Sequence, residues 1–142
     1  MKKVSIKLVK EVELDYGIDS VVSPVDVSKV LHKYIGDSDR EMLVVICLDV
    51  KNNINSINTV SVGTLNYSLS HPREVFKAAI LSNSAAIILG HNHPSGDTQP
   101  SFDDIKVTER MEKAGDILGI ELLDHVIIGG DSFYSLKDGK DI

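Results

Sequence analysis

The sequence contains no tryptophan, and aromatic residues make up only 5% of the chain, so aliphatic side chains dominate its apolar content. It also has a single cysteine, Cys47, within the apolar stretch MLVVICLDV. One thiol cannot form an internal disulfide. A lone cysteine in such a run is expected to pack as a small hydrophobic side chain and not to act as a catalytic thiol.

The sequence also lacks an excess of positive charge and a long apolar segment. Its formal net charge is −6, so it offers no overall basic surface to nucleic-acid phosphates. Lys7, Lys10 and Glu11 interrupt any signal-peptide core, and no stretch approaches the roughly 18 apolar residues of a membrane span. We therefore expect a cytoplasmic protein with no membrane partner.

What the sequence does contain is enough apolar material for one globular domain. It has 142 residues, of which 42% are hydrophobic. Residues 3–9 alternate between apolar and polar side chains, as an edge strand would. We predict a single domain over 1–142, in which residues 1–20 form an N-terminal extension made of a strand and a loop.

Helical and strand patterns then alternate along the chain. Helices are predicted from Pro24 to Gly36, from Pro72 to about 83 and over 102–117. Strands are predicted over the ranges 42–50, 54–63, 84–90, 120–128 and 132–136. The order β–α–β–β–α–β–α–β–β predicts an α/β fold, in which helices flank a mixed β-sheet.

The stretch GHNHPSGDTQPSFDD, residues 90–104, carries the residues that suggest chemistry. His91 and His93 come at the end of a predicted strand, and side chains two residues apart on a strand share a face. A loop then leads to Asp104 in the first turn of a helix, where the helix dipole favours a carboxylate. Two imidazoles and one carboxylate are typical ligands of a catalytic zinc ion, which lowers the pKa of a bound water toward about 7.

A simpler interpretation of part of this stretch stays open. Ser101-x-x-Asp104 has the pattern of a capping box, with Ser101 as the N-cap residue and an acid three positions later. Such a cap explains both residues without any chemistry. The two interpretations are compatible, because a hydroxyl at a helix start can cap the helix and still face a metal ion.

The same stretch resembles a known motif. His91-x-His93-Pro94 followed by Ser101-x-x-Asp104 resembles the JAMM motif of the MPN metallopeptidases. Four stretches in order also resemble the bacterial RadC family, and together they cover about 21–138: VGTLN (62–66), HPREVFK (71–77), HNHPSGD (91–97) and LLDHVIIG (122–129).

The resemblance implies a cytidine deaminase-like fold in which helices wrap a mixed sheet. It also implies one zinc ion per chain, bound by His91, His93, Asp104 and a water molecule. Ser101 would donate a hydrogen bond to the tetrahedral intermediate. Glu41, which opens the strand MLVVICLD, would be the general acid/base that takes a proton from the water and passes it to the leaving amine. Without the motif, Glu41 is simply a solvated residue after the polar turn DSDRE.

Some features depart from the family pattern or stay ambiguous. Asn92 stands where MPN peptidases mostly have Ser or Thr, although the HNHP form is usual among RadC relatives. Full-length RadC proteins carry an N-terminal helix-hairpin-helix region associated with DNA, which we expect to be absent here. In the strand 120–128, Asp124 is either an acid that orients a ligand histidine or, with His125, a buried structural pair.

Two functions compete on this basis. The first is a zinc metallopeptidase or isopeptidase acting on a peptide or protein substrate. The second is a non-catalytic or DNA-repair accessory module built on the MPN fold, although the acidic charge does not support DNA as a partner. An HNH nuclease is disfavoured, since that family's three residues are spread along a ββα unit. A zinc deaminase would need cysteines that this chain lacks.

Overall fold

The computed structural model describes residues 1–142. It contains three helices and five strands: α1 Pro24–Ile35, β1 Met42–Leu48, β2 Ile54–Val62, α2 Pro72–Leu81, β3 Ala86–Asn92, α3 Phe102–Leu118, β4 Glu121–Gly129 and β5 Ser132–Ser135. The strands form one sheet in the order β2-β1-β3-β4-β5, in which β3 and β4 are parallel and the other neighbours antiparallel. The predicted α/β class, with helices flanking a mixed sheet, is confirmed.

The sheet separates two apolar cores. On one face, α1 packs through Val27, Val30 and Leu31 against β1, β3 and β4. On the other face, α2 and α3 pack through Phe76 and Met111, among others, against the same central strands. Both central strands β1 and β3 are therefore covered on both sides, which explains why their sequences are almost continuously apolar.

The close approach of α1 to β3 occurs at Gly90, immediately before the first site histidine. A Cβ atom at Gly90 would collide with the side chain of Leu31 in α1. Any larger residue would force the buried Leu31 side chain to shift, so α1 packs closely against the strand end that carries His91. No helix of the structure could serve as a membrane span.

The strand predicted over 3–9 is wrong. Residues 1–15 are exposed and pair with no strand, and the side chains of Val4 and Ile6 are about three-quarters exposed. Alternation describes a strand that already has a neighbouring strand to pair with, and residues 3–9 pair with neither edge strand, β2 or β5. The extension first contacts the core at Tyr16, Ile18 and Val21, which pack against the α1 side.

Candidate metal centre

The site forms where β1 begins and β3 ends. The antiparallel pairing of these strands places Leu43 opposite His91. Glu41, just before β1, therefore comes next to His93, just after β3, although about fifty residues separate them along the chain. Asp104 reaches the same place from the first turn of α3, which follows β3 through the loop 93–101.

Four of the predicted site residues form one continuous chain of contacts. His91 Nδ1 lies 3.4 Å from Asp104 Oδ1, and His93 Nε2 lies 3.1 Å from Asp104 Oδ2. On its other side, His91 Nε2 lies 3.8 Å from Glu41 Oε2. The two imidazoles meet edge to face with ring centres 4.8 Å apart, and His91 and Asp104 are almost fully buried.

The group of metal-binding atoms that converge in the structure differs from the predicted set. Glu41, His91 and His93 each offer one such atom within 4.8 Å of the others, and this group does not include Asp104. Asp104 nevertheless contacts both rings more closely than Glu41 contacts His91. The histidine pair is therefore flanked by two carboxylates, Glu41 from the strand side and Asp104 from α3. The converging group includes Glu41, and the predicted set with Asp104 stays a prediction.

The chemistry of His93 fits a bound cation. Its Nδ1 lies 2.7 Å from the carbonyl oxygen of Asp97. A carbonyl only accepts, so His93 Nδ1 carries the proton, and the neutral ring keeps a lone pair on Nε2. That lone pair faces Asp104 Oδ2, so two acceptors meet unless a metal ion or a second proton lies at this position. A ring nitrogen fixed by a backbone carbonyl in this way is typical of a metal-ligating histidine.

His91 also fits a metal ligand. Neither of its ring nitrogens has a hydrogen-bond partner, although both are buried. Burial lowers the pKa of His91, and the negative charge of Asp104 partly opposes this effect. The neutral ring keeps a lone pair available. Buried polar atoms without partners are rare in folded proteins, and a bound ion is one of the accepted explanations.

Ser101 forms the predicted helix cap. Its Oγ accepts the N–H of Asp104 at 3.0 Å, and Asp104 Oδ2 accepts the N–H of Ser101 at 2.8 Å. This capping box fixes the Asp104 carboxylate against the histidines. Because the Ser101 oxygen accepts the capping bond, its own O–H remains free to donate.

The site opens to solvent through a polar depression of about 240 Å³. Its lining residues are Glu41, Thr64, Leu65, His93, Ser95, Asp97, Gln99, Ser101 and Asp104. The N–H of Leu65 donates to Glu41 Oε2 at 3.3 Å, which holds this carboxylate at the rim. A depression of similar size at the start of β4 contains no histidine and lies away from these residues.

The family of the chain follows from comparison with known proteins. A family model described as "RadC-like JAB domain" matches residues 21–141. The chain belongs to this family. The predicted resemblance to RadC proteins is confirmed, and the five-stranded sheet with its three helices agrees with a JAB/MPN-like fold.

The curated relatives of this RadC-like JAB domain carry the name UPF0758 protein. The chain is 49% identical over 118 residues to the one from Methanosarcina barkeri, a match that covers 83% of this chain and 52% of the relative. It is 53% identical over 119 residues to the one from Caldanaerobacter subterraneus, covering 84% and 51%. It is 54% identical over 116 residues to the one from Moorella thermoacetica, covering 82% and 51%. The chain thus spans about half the length of these relatives.

One contributor within the RadC-like domain was noticed in the sequence only as a departure from MPN peptidases. The side chain of Asn92 is buried, and its Nδ2 donates to the carbonyl of Arg40 at 2.8 Å. Its Oδ1 accepts the N–H of Met42 at 2.7 Å. These bonds hold the residues on both sides of Glu41. The strand alternation that turns Asn92 away from its neighbouring histidines could have suggested such a structural role.

The two buried polar residues on β4, Asp124 and His125, have different roles. Asp124 accepts hydrogen bonds from Ser135 Oγ, from the Lys137 N–H and from the His125 N–H, so it orients no histidine ring. Burial raises the pKa of Asp124. His125 lies on the site face instead, where its Nδ1 is 2.6 Å from Thr108 Oγ1. Burial, helped by the proximity of His91, lowers the pKa of His125 to about 3.

Proposed function

We propose that this chain is a zinc-dependent hydrolase of amide or isopeptide bonds, acting on a peptide or protein substrate. The observation that supports this most directly is the contact between His93 Nε2 and Asp104 Oδ2 at 3.1 Å. Because His93 Nδ1 donates to a carbonyl, this contact joins two acceptors unless a metal ion or a second proton lies between them, and the buried, unpartnered ring nitrogens of His91 beside it favour the metal ion.

In this proposal His91, His93 and Asp104 hold the zinc ion, a set of two imidazoles and one carboxylate that leaves a position for water. When bound, zinc polarises a substrate carbonyl and lowers the pKa of water toward about 7. The other residues supply orientation and proton transfer. Ser101, whose O–H is free, donates a hydrogen bond to the substrate carbonyl oxygen as charge develops there.

Glu41 is the proposed general acid/base. Its side chain is 27% exposed at the rim of the depression and lies 3.8 Å from His91 Nε2. It is therefore placed to take a proton from the attacking water and to deliver it to the leaving amine, so the reaction ends with a free amine and a carboxylate. The Leu65 N–H and the Asn92 bonds to both neighbours of Glu41 hold it in that position.

Metal content of the purified protein tests the ligand set. We expect one zinc ion per chain, and an Asp104→Ala variant should bind zinc at least about 100-fold more weakly, since even outer partners of a metal site contribute about 10–100-fold. Glu41→Gln should keep its zinc. Loss of zinc in Glu41→Gln with retention in Asp104→Ala would show that Glu41, and not Asp104, is the third ligand.

Hydrolysis tests the reaction separately. Zinc-loaded protein should cleave members of a peptide and isopeptide-linked library, and Glu41→Gln should reduce the rate by about 10²–10⁴-fold, the usual contribution of a general acid/base. Stoichiometric zinc without cleavage of any library member would contradict the hydrolase and favour an accessory module on the same fold.

A further inference from the structure

The segment between β2 and α2, residues 63–71, forms one wall of the depression and contacts Glu41 twice. The N–H of Gly63 donates to the backbone carbonyl of Glu41 at 2.7 Å, and the N–H of Leu65 donates to the Glu41 carboxylate at 3.3 Å. Thr64 and Leu65 also line the depression. The orientation of the proposed acid/base therefore depends on where this segment lies.

The turn 66–70 within this segment has little packing of its own. Leu65, just before the turn, is 4% exposed and packs in the core, but the turn residues themselves are exposed up to Leu69. The Asn66 carbonyl accepts the N–H groups of Leu69 and Ser70, and these bonds only close the turn on itself. An exposed turn with few buried contacts opens easily unless a residue outside it holds it in place.

Arg110 in α3 is the one residue outside the turn that hydrogen-bonds to it. Its Nη1 donates to the carbonyl oxygen of Ser70 at 2.8 Å and to that of Tyr67 at 3.2 Å. The guanidinium also lies 5.5 Å from the centre of the Tyr67 ring. Hydrogen bonds from a charged donor are stronger than those between neutral groups, so these two bonds fix the turn to the helix.

We propose that Arg110 is a positioning residue for Glu41: it holds the turn 66–70 against α3, and the turn in this position keeps the Leu65 N–H on the Glu41 carboxylate. Gly63 fixes the backbone of Glu41 from the other end of the segment. Arg110 does not itself line the depression. Its effect on the reaction rests on the proposed function, whereas its hold on Leu65 does not.

Amide hydrogen exchange of the metal-free chain, followed residue by residue by nuclear magnetic resonance, tests the hold on Leu65. Arg110→Met keeps an apolar stem but removes every donor. We expect the Leu65 amide to exchange at least about tenfold faster in this variant, because the bonds that are lost are charge-assisted. The amide of Met42, which donates to Asn92, should keep its rate. An unchanged Leu65 rate, or an equal increase at Met42, would overturn the proposal.

Two further variants separate this role from the effect of charge alone. Lys113→Met removes a cation from an exposed position on the same helix and should leave the exchange of Leu65 unchanged. Arg110→Lys should restore most of the protection of Leu65, because a single nitrogen of Arg110 makes both bonds and an ammonium group can replace it. Faster exchange in Lys113→Met, or no protection in Arg110→Lys, would overturn the proposal.

A double-mutant comparison tests whether Arg110 acts on the reaction through Glu41. Zinc-loaded Arg110→Met should keep its zinc and cleave about 10–100-fold more slowly, the scale expected for a misplaced catalytic group. In a Glu41→Gln background the same substitution should cost less than about threefold, because the group that Arg110 positions is already gone. Equal losses in the two backgrounds would overturn the proposal.

The two measurements distinguish failure of this inference from failure of the proposed function. If the wild-type chain cleaves no substrate, the proposed hydrolase is wrong, and the exchange rates still decide whether Arg110 holds Leu65 on Glu41. If the wild-type chain cleaves a substrate but Arg110→Met matches it in exchange and in rate, only the inference fails.

Discussion

The protonation states of the buried histidines are set by the free-energy cost of placing a charge in the protein interior. His91 and His125 lie 6.0 Å apart in an interior that contains the Asp104 carboxylate, yet burial lowers the pKa of both histidines. Desolvation outweighs the attraction of the carboxylate, so both rings stay neutral near pH 7. Neutral imidazoles are the form that metal ions bind, so burial keeps His91 in the form that the proposed metal site requires.

The low pKa of His125 predicts acid destabilisation of the metal-free protein. Its folded pKa is about 3 against an ordinary value of 6.5, so between these values the unfolded chain binds a proton that the folded chain does not. The free energy of unfolding therefore falls as the pH falls through this window, by about 2 kcal/mol from about pH 6.5 to about pH 5. Urea unfolding with a chelator present, repeated across this range, measures the slope.

His125→Gln is the control for this slope, because glutamine does not titrate. The variant should lose stability less steeply over the same pH range, whatever its stability at pH 7. Asp124, whose pKa is raised by burial, acts in the opposite direction near its own pKa, but it is present in both proteins. Parallel slopes in the two proteins would contradict the assignment to His125.

At the scale of elements, the start of α3 serves both the fold and the site. Ser101 caps the helix, and the same capping box fixes the carboxylate of Asp104 beside His93. Ser101→Ala should lower the free energy of unfolding by about 1 kcal/mol, because the Asp104 N–H loses its acceptor. Thermal or urea unfolding of the metal-free protein measures this loss.

Ser101→Thr provides the matched comparison, since threonine keeps the hydroxyl and is also an accepted N-cap residue. The free energy of unfolding of this variant should stay within about 0.5 kcal/mol of the wild-type value, as expected for a tolerated substitution at the surface. If Ser101→Ala is equally neutral, the capping bond contributes nothing measurable and the case for Ser101 would rest on the reaction alone.

Elements whose signals are local could be predicted from the sequence. The starts of α1 and α3 were predicted correctly because a capping serine and its acid lie within four residues of each other. The N-terminal strand was predicted wrongly because alternation does not supply a pairing partner. The order of the strands depends on contacts between distant segments, which no single stretch contains.

The site residues likewise divide into those that local spacing predicts and those that depend on contacts between distant segments. His91 and His93 belong together by spacing alone, because they share one strand face. Glu41 reaches them only through the pairing of β1 with β3, so the family resemblance was needed to select it from among the other acidic residues. The position of His125 behind His91 was not foreseen, because its face depends on the parallel register of β3 and β4.

At the scale of the whole molecule, the folded unit begins well after the first residue. Residues 1–15 are exposed, whereas Tyr16, Ile18 and Val21 pack against the core. Deletion of residues 1–14 should therefore change the free energy of unfolding by less than about 0.5 kcal/mol, as expected for surface positions. Urea unfolding of the shortened chain measures the change.

A longer deletion, of residues 1–22, is the comparison. It removes the three apolar side chains that cover the α1 side and should cost at least about 2 kcal/mol. If deletion of residues 1–14 already causes such a loss, the extension makes stabilising contacts that its exposure does not reveal.

The side chain of Asn92 has a consequence for how the site can move. It stands between the two histidines on one strand and bonds to both neighbours of Glu41 on the next. The backbone on both sides of Glu41, the proposed acid/base, is thus tied to the strand that carries the two imidazoles, and it cannot move away from them without breaking two buried hydrogen bonds. If the proposed function holds, adjustment to different substrates falls to the loop 93–101 and to the segment around Leu65, which line the rest of the depression. Engineering of a new specificity should therefore vary these lining residues and keep residues 91–93 unchanged.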